Sequence, residues 1–289
     1  MKKIALIAPS SPAPELTPDS LAFIQNRFAD IGYRIHLESH ALDSIRYLAG
    51  SDRDRADDIM RAFTDPEIDV VMTVRGGYGS PRLLDRLDYD LIRQNEKPFW
   101  TISDGTALQT ALLTRAGISG YSGMQALFLL NPKNDTLFQT AGAALQGNLP
   151  DIPIQQTQVP GFVTGTAVGG NLTVFEGLLG TPYFPDMTDK ILVLEDINEQ
   201  PYRIDRMLTH LRLSGALDAV AGIVLGDFSA CLSKDPADGT VEDVFDDLFH
   251  DFSKPVVHIH YGHRNRKTVF PIGKSVLIDT EQGLIREVK

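Results

Sequence analysis

Apolar and polar positions alternate in two rhythms over the first third of the chain. Short runs at Ile4–Ala8, Arg34–Glu38, Val70–Val74 and Phe99–Ile102 read as strands. Between them, Leu21, Ile24, Phe28 and Ile31 recur at helical spacing, with Gly32 as the stop signal. Ala56, Ile59, Met60 and Phe63 mark a second helix with a charged outer face, and Ala107, Leu108, Ala111 and Leu112 the inner stripe of a third. Repeated strand–helix order predicts parallel pairing through right-handed crossovers, a doubly wound α/β layer over residues 1–130. Ligands in such layers bind beyond the carboxyl ends of the strands. The glycine cluster Arg75-Gly76-Gly77-Tyr78-Gly79 and Ser103 both fall at such ends.

The pattern weakens over 131–160, where prolines, asparagines and the run Gln155-Gln156-Thr157-Gln158 read as a linker or irregular connection. A second periodic region, 161–289, follows. It holds a strand at Ile191–Leu194, a helix at Tyr202–Leu213, a strand at Ala219–Leu225 and an acidic amphipathic helix at Val241–Phe252. Val256–His260, Val269–Pro271, Ser275–Ile278 and Ile285–Val288 make a strand-rich end. Two domains with a cleft between them are expected.

Composition narrows the partners. With 289 residues, 43% hydrophobic and 22% charged, the chain has ordinary globular usage rather than that of a disordered protein. Basic residues number 27 against 38 acidic, a net charge of −11, so nucleic acid is not an expected partner. Cys231, the single cysteine, supports neither an intrachain disulfide nor a cysteine-based zinc site, in keeping with a reducing compartment. The apolar run after Lys2-Lys3 stops at Pro9, short of the roughly 7–15 residues a signal peptide needs. No run approaches the roughly 20 apolar residues of a membrane span. A soluble, cytoplasmic protein with no membrane partner is expected.

Several segments carry candidate chemistry. Ser103, between a strand and the first turn of a helix, reads either as a nucleophile on a sharp turn or as an ordinary N-cap. The Gly-x-Ser-x-Gly elbow is half present, since Thr101 takes the first glycine's place. Arg75–Ser80 is neither a P-loop nor a dinucleotide fingerprint. It is a tight turn or a loop presenting N–H groups to an oxyanion. Glu195 directly follows an apolar run and is placed to be partly buried and to orient another group, while Asp196 and Glu199 are expected to face solvent or cap the next helix. His258 and His260 share one strand face, so a metal-dependent hydrolase built on His258, His260 and His263 is one reading. His263, beyond Gly262, reads alternatively as a solvent-connected base or a surface residue. The acidic stretch from Asp235 to Asp247 misses the calcium-loop spacing and is expected to be a solvated helix face. Arg203 either clamps a substrate carboxylate or pairs within its helix.

Taken in order along the chain, these segments resemble the LD-carboxypeptidase family of serine peptidases. The resemblance covers nearly the whole sequence. It rests on Arg75-Gly76-Gly77-Tyr78-Gly79 with Arg82-Leu83-Leu84, and on Ser103-Asp104 with Thr106-Ala107-Leu108. Gly169-Gly170-Asn171-Leu172 with Gly180-Thr181-Pro182 adds to it, as do Leu194-Glu195-Asp196 with Pro201–Leu208 and Gly262-His263 with Pro271-Ile272-Gly273. The resemblance implies an N-terminal flavodoxin-like parallel sheet domain, a C-terminal β-rich α/β domain, an active site in the interdomain cleft and a homodimer. It maps the catalytic serine, glutamate and histidine onto Ser103, Glu195 and His263, and the oxyanion donors onto the backbone N–H groups of Gly77 and Asp104. Arg75, Tyr78, Asn171 and Arg203 are the candidates for holding substrate. No metal or organic cofactor is implied. The implied reaction cleaves the L,D-peptide bond joining L-lysine or meso-diaminopimelate to the terminal D-alanine of a murein tetrapeptide or muropeptide, a cytoplasmic step of cell-wall recycling.

Two departures stand out: Thr101, and Ser122-Gly123-Met124 where many members carry His-Gly-Pro-Met. Both bear on substrate preference more than on reaction type. The rival within the family is a microcin-immunity-type hydrolase of aminoacyl-nucleotide analogues, and outside it a non-catalytic ligand-binding protein using the same cleft.

Overall fold

The computed structural model describes residues 1–264 and 267–288. The first part runs β1 (Lys2–Ile7), α1 (Pro18–Ala29), β2 (Tyr33–Leu37), α2 (Asp52–Thr64), β3 (Val70–Thr73), α3 (Tyr89–Gln94), β4 (Phe99–Thr101), α4 (Gly105–Ala116) and β5 (Gly120–Ser122). Then come α5 (Asp135–Leu145), β6 (Ile152–Pro153), β7 (Gln156–Val159), β8 (Phe162–Asn171), α6 (Leu172–Glu176) and β9 (Lys190–Ile197). The chain ends with α7 (Pro201–Leu213), α8 (Ala216–Ala219), β10 (Gly222–Ser229), α9 (Val241–Phe249), β11 (Val256–His258), β12 (Phe270–Ile272), β13 (Ser275–Asp279) and β14 (Leu284–Glu287).

Among the described residues these strands make two sheets. The six-stranded one has the order β12-β5-β4-β3-β1-β2 and is parallel except for β12. Its core, β2-β1-β3-β4-β5, is the flavodoxin-type order. The residues explain why. Val70–Thr73 is buried throughout, as a strand covered by helices on both faces must be. Successive side chains enter opposite cores: Trp100 packs with Phe28, Tyr121 and Leu137 on one side, Phe99 with Phe63, Leu108 and Leu112 on the other. Thr17 and Ser51 cap α1 and α2 by accepting from the backbone N–H groups of Ser20 and Asp54.

The eight-stranded sheet has the order β6-β14-β13-β8-β9-β10-β11-β7. Its centre, β8 to β11, is parallel and its flanks are antiparallel. The segment 131–160, read as an irregular connection, is structured: α5 buries Leu137, Phe138, Ala141 and Ala144 in the first layer, and β6 and β7 form the two edges of the second sheet. The chain also crosses back, since β12 pairs antiparallel with β5 and completes the first sheet. Among the described residues, no helix is long and apolar enough to cross a membrane.

Candidate active site

The chain passes from β4 to α4 through Ile102, Ser103 and Asp104. Ser103 has φ of +65°, a left-handed backbone that costs on the order of 1–3 kcal/mol and persists only where packing imposes it. Its hydroxyl does not cap the helix. The N-cap is Asp104, and among the described residues Ser103 Oγ forms no hydrogen bond.

Glycines and short polar side chains build this corner. A Cβ on Gly76 would stand 2.8 Å from Ser103 Cβ and 3.0 Å from its Oγ, so glycine lets the loop after β3 lie against the hydroxyl. Thr101 keeps its hydroxyl 3.0 Å from that of Thr73. A Cβ at residue 105 would fall 1.8 Å from Thr101 Oγ1, so the space taken by Thr101 is returned by Gly105. The buried Asp104 carboxylate accepts from Ser10 Oγ at 2.5 Å and from the Ser80 N–H at 2.8 Å, and Ser80 Oγ donates to the Asp104 carbonyl oxygen at 2.5 Å. The loops after β1, β3 and β4 are thereby pinned together. Among the described residues, the N–H groups of Gly77 and Asp104 donate to no protein acceptor.

The glutamate and histidine candidates come from the second sheet and from the segment after β11. Glu195, fully buried on β9, accepts from His263 Nδ1 at 2.6 Å, and the imidazole is itself only 12% exposed. That bond assigns the proton on Nδ1 and makes Nε2 the basic nitrogen. Burial pushes the Glu195 carboxyl above its usual range, while the hydrogen bond and charge of His263 pull against that rise. Gly262, at φ +134°, brings the loop in close: a Cβ there would stand 3.0 Å from Glu195 Oε2.

Asn171, paired with Glu195 across the sheet, donates from Nδ2 to Glu195 Oε1 at 3.4 Å and to Asp196 Oδ1 at 3.2 Å. Its backbone N–H donates to Thr106 Oγ1 on α4 at 3.0 Å, which joins the serine's helix to the glutamate's sheet. Asp196 is buried rather than solvated. It accepts from the N–H and hydroxyl of Thr173 and from the N–H of Ile197, and so tethers the first turn of α6 rather than capping α7. Spacing alone carries no signal for Ser10, Ser80 or Thr106, whose roles arise only from tertiary contact.

The remaining candidates lie outside this network. Arg75 donates to the Pro12 carbonyl and the Glu15 carboxylate, both at 3.2 Å, and lines a cavity of about 340 Å³ with Gln125 and Asn131. Tyr78 is exposed, its ring 6.0 Å from that of Tyr47. Arg203 pairs with Glu199 at 3.3 Å and with the Tyr202 hydroxyl. The three histidines of the 258–263 segment are not drawn together as ligands. His258 Nε2 lies 3.2 Å from Gln158 Oε1, and burial pushes its pKa below the usual imidazole value. Among the described residues, the group of three or more potential ligands whose atoms approach within 4.8 Å of one another is His40, Asp43 and Asp54.

Residues 4–123 match the model of the LD-carboxypeptidase N-terminal domain, and residues 164–278 that of its C-terminal domain. Over 261 residues the chain is 38% identical to a putative carboxypeptidase of Synechocystis sp., covering 88% of this chain and 84% of that one. The chain belongs to the LD-carboxypeptidase family. A murein tetrapeptide carboxypeptidase of Pseudomonas aeruginosa is 31% identical over 96% of this chain and 93% of its own. The crystal structure of a muramoyltetrapeptide carboxypeptidase from Oxalobacter formigenes superposes with a TM-score of 0.87 at 29% identity, covering 98% of this chain and 97% of that one. The microcin C7 self immunity protein shares the fold, with a TM-score of 0.88 at 20% identity over 100% and 96% of the two chains. As a family member this chain is a carboxypeptidase with two domains, the first built on a parallel sheet.

Proposed function

We propose that this carboxypeptidase removes the terminal D-alanine of murein tetrapeptides, with Ser103 as nucleophile, His263 as base and Glu195 as its orienting acid. The observation that carries the reading is the 2.6 Å pairing of His263 Nδ1 with a fully buried Glu195, in a chain whose Ser103 is held in a left-handed backbone at a strand–helix corner. A serine hydroxyl near neutral pH is a weak nucleophile and needs such a base. His263 Nε2 takes the Ser103 proton as Oγ attacks the carbonyl carbon of the diamino acid, and Glu195 stabilises the resulting imidazolium. The N–H groups of Gly77 and Asp104 receive the oxyanion; losing one such donor typically raises the barrier by about 2.7–4 kcal/mol. As the C–N bond breaks, His263 returns the proton to the departing amine of D-alanine. Water, activated by the same imidazole, then hydrolyses the acyl-enzyme.

The names of the Pseudomonas and Oxalobacter relatives support the murein substrate. The single tryptophan, Trp100, is buried against Tyr121 in the first sheet and offers no indole face to a nucleobase, which weighs against an aminoacyl-nucleotide substrate. Arg75, next to Gly76 in the chain, lines a cavity of mixed polar and apolar side chains that supplies a surface for the peptide. Action in the cytoplasm during cell-wall recycling, as a homodimer, belongs to the same reading. Mass spectrometry of purified protein incubated with murein tetrapeptide tests it: loss of one alanine is expected, unaffected by a strong chelator and abolished in Ser103→Ala. Intact tetrapeptide with the wild-type protein would overturn it.

A further inference from the structure

We propose that the buried hydrogen bond between Tyr261 and Ser122 is a strut that sets the separation of Ser103 from His263, making Tyr261 and Ser122 positioning residues. The Tyr261 hydroxyl donates to Ser122 Oγ at 2.6 Å, and both residues are fully buried. Their places in the chain give the bond its leverage. Ser122 ends β5 opposite Thr101 of β4, two residues before Ser103. Tyr261 lies two residues before His263, and its carbonyl oxygen accepts from the Asp227 N–H at 2.7 Å. One hydrogen bond thus spans the two sheets, from the strand beside the nucleophile to the segment that delivers the base.

The phenol has little freedom to drift. A Cβ on Gly123 would come within 3.2 Å of Tyr261 Cε2, and one on Gly226 within 2.4 Å of the Tyr261 carbonyl oxygen and 3.2 Å of Glu195 Cβ. The Phe270 ring on β12, itself paired with Ser122, lies 6.0 Å away. This contact gives a role to one of the sequence departures. A serine at 122 is short enough to leave room for the phenol, whereas a ring there would displace it. Buried hydroxyls are costly unless paired, so removing either one strands the other and loosens the span. A displacement of about 1 Å at reacting atoms can cost about a hundredfold in rate.

The inference rests on the reading of Ser103 and His263 as nucleophile and base, and the test separates the two. Tyr261→Phe, Ser122→Ala, the double variant and Ser122→Thr are assayed for kcat and KM on murein tetrapeptide. The rate at which a fluorophosphonate acylates Ser103 is followed by mass spectrometry in the same proteins and in His263→Ala. Each single hydroxyl deletion is expected to lower kcat and the acylation rate by about fivefold or more with KM unchanged. The double variant is expected to be no slower than the slower single, and Ser122→Thr to recover most of the rate. A smaller loss in the singles, a loss confined to KM, or multiplied losses in the double variant would overturn the strut. Should Tyr261→Phe fail to fold, Ser122→Ala carries the same criterion. Wild-type acylation in His263→Ala would instead overturn the catalytic reading itself.

Discussion

The serine corner and the histidine arm, which the proposed mechanism brings to one reaction, are held by opposite physics. At the corner, position is imposed by exclusion: Gly76 and Gly105 leave out side chains so that Ser103 and Thr101 fit, and the backbone at Ser103 is forced to φ +65°. At the arm, position is imposed by attraction: a buried carboxylate holds an imidazole, with one amide from Asn171 in support. Asp196, the very next residue, sharpens the contrast. It is equally buried but receives donors from Thr173, Ile197 and Asn171, so its charge is spent on structure. The corner therefore tolerates no added volume, and the arm tolerates no lost proton or charge.

Breaking the arm has the largest expected effect. His263→Ala and Glu195→Gln should each lower kcat/KM by about 10⁴ while circular dichroism shows an intact fold. Retention of a tenth of wild-type activity in either would remove the arm from the chemistry. Adding volume to the corner comes next: Gly76→Ala should cost about a hundredfold in kcat/KM, because the new methyl drives Ser103 out of line. The acidic limb of the pH–rate profile follows. The proposed mechanism needs Glu195 ionised and His263 neutral, and burial raises the Glu195 pKa, so activity should fall on acidification at a pH above the ordinary glutamate value of about 4.3. A limb at or below that value would count against the buried, charged arm. The smallest effect concerns strain. Ser103→Gly should abolish activity yet stabilise the protein by about 1 kcal/mol in urea unfolding, because glycine accepts the left-handed backbone without penalty. Unchanged or lower stability would mean that the corner stores no strain.

The parallel half of the fold was legible because its strands are short apolar runs between amphipathic helices. Ser103, Glu195 and His263 could be singled out since each directly follows a strand or a glycine. The long strand Phe162–Asn171 was not legible. Five of its ten residues are glycine or threonine rather than apolar, and at Gly165 and Gly169 a Cβ would strike the backbone oxygens of Asp189 and Val193. The same close approach that makes the strand hides it from any hydrophobic pattern. The helix Asp135–Leu145 was obscured by the prolines and asparagines that flank it, and Asp196 by the rule that acids after strands face water. Its burial depends on Thr173 and Asn171, which reach it from another strand's end.

The return of Phe270–Ile272 to pair with Ser122, Tyr121 and Gly120 has a consequence for how the molecule can be cut. A fragment ending near residue 130 would present the bare margin of Gly120–Ser122, with unsatisfied amides inviting intermolecular association. The serine-bearing half therefore borrows its outermost strand from residues 270–272 and is not a module that recombination could transplant alone.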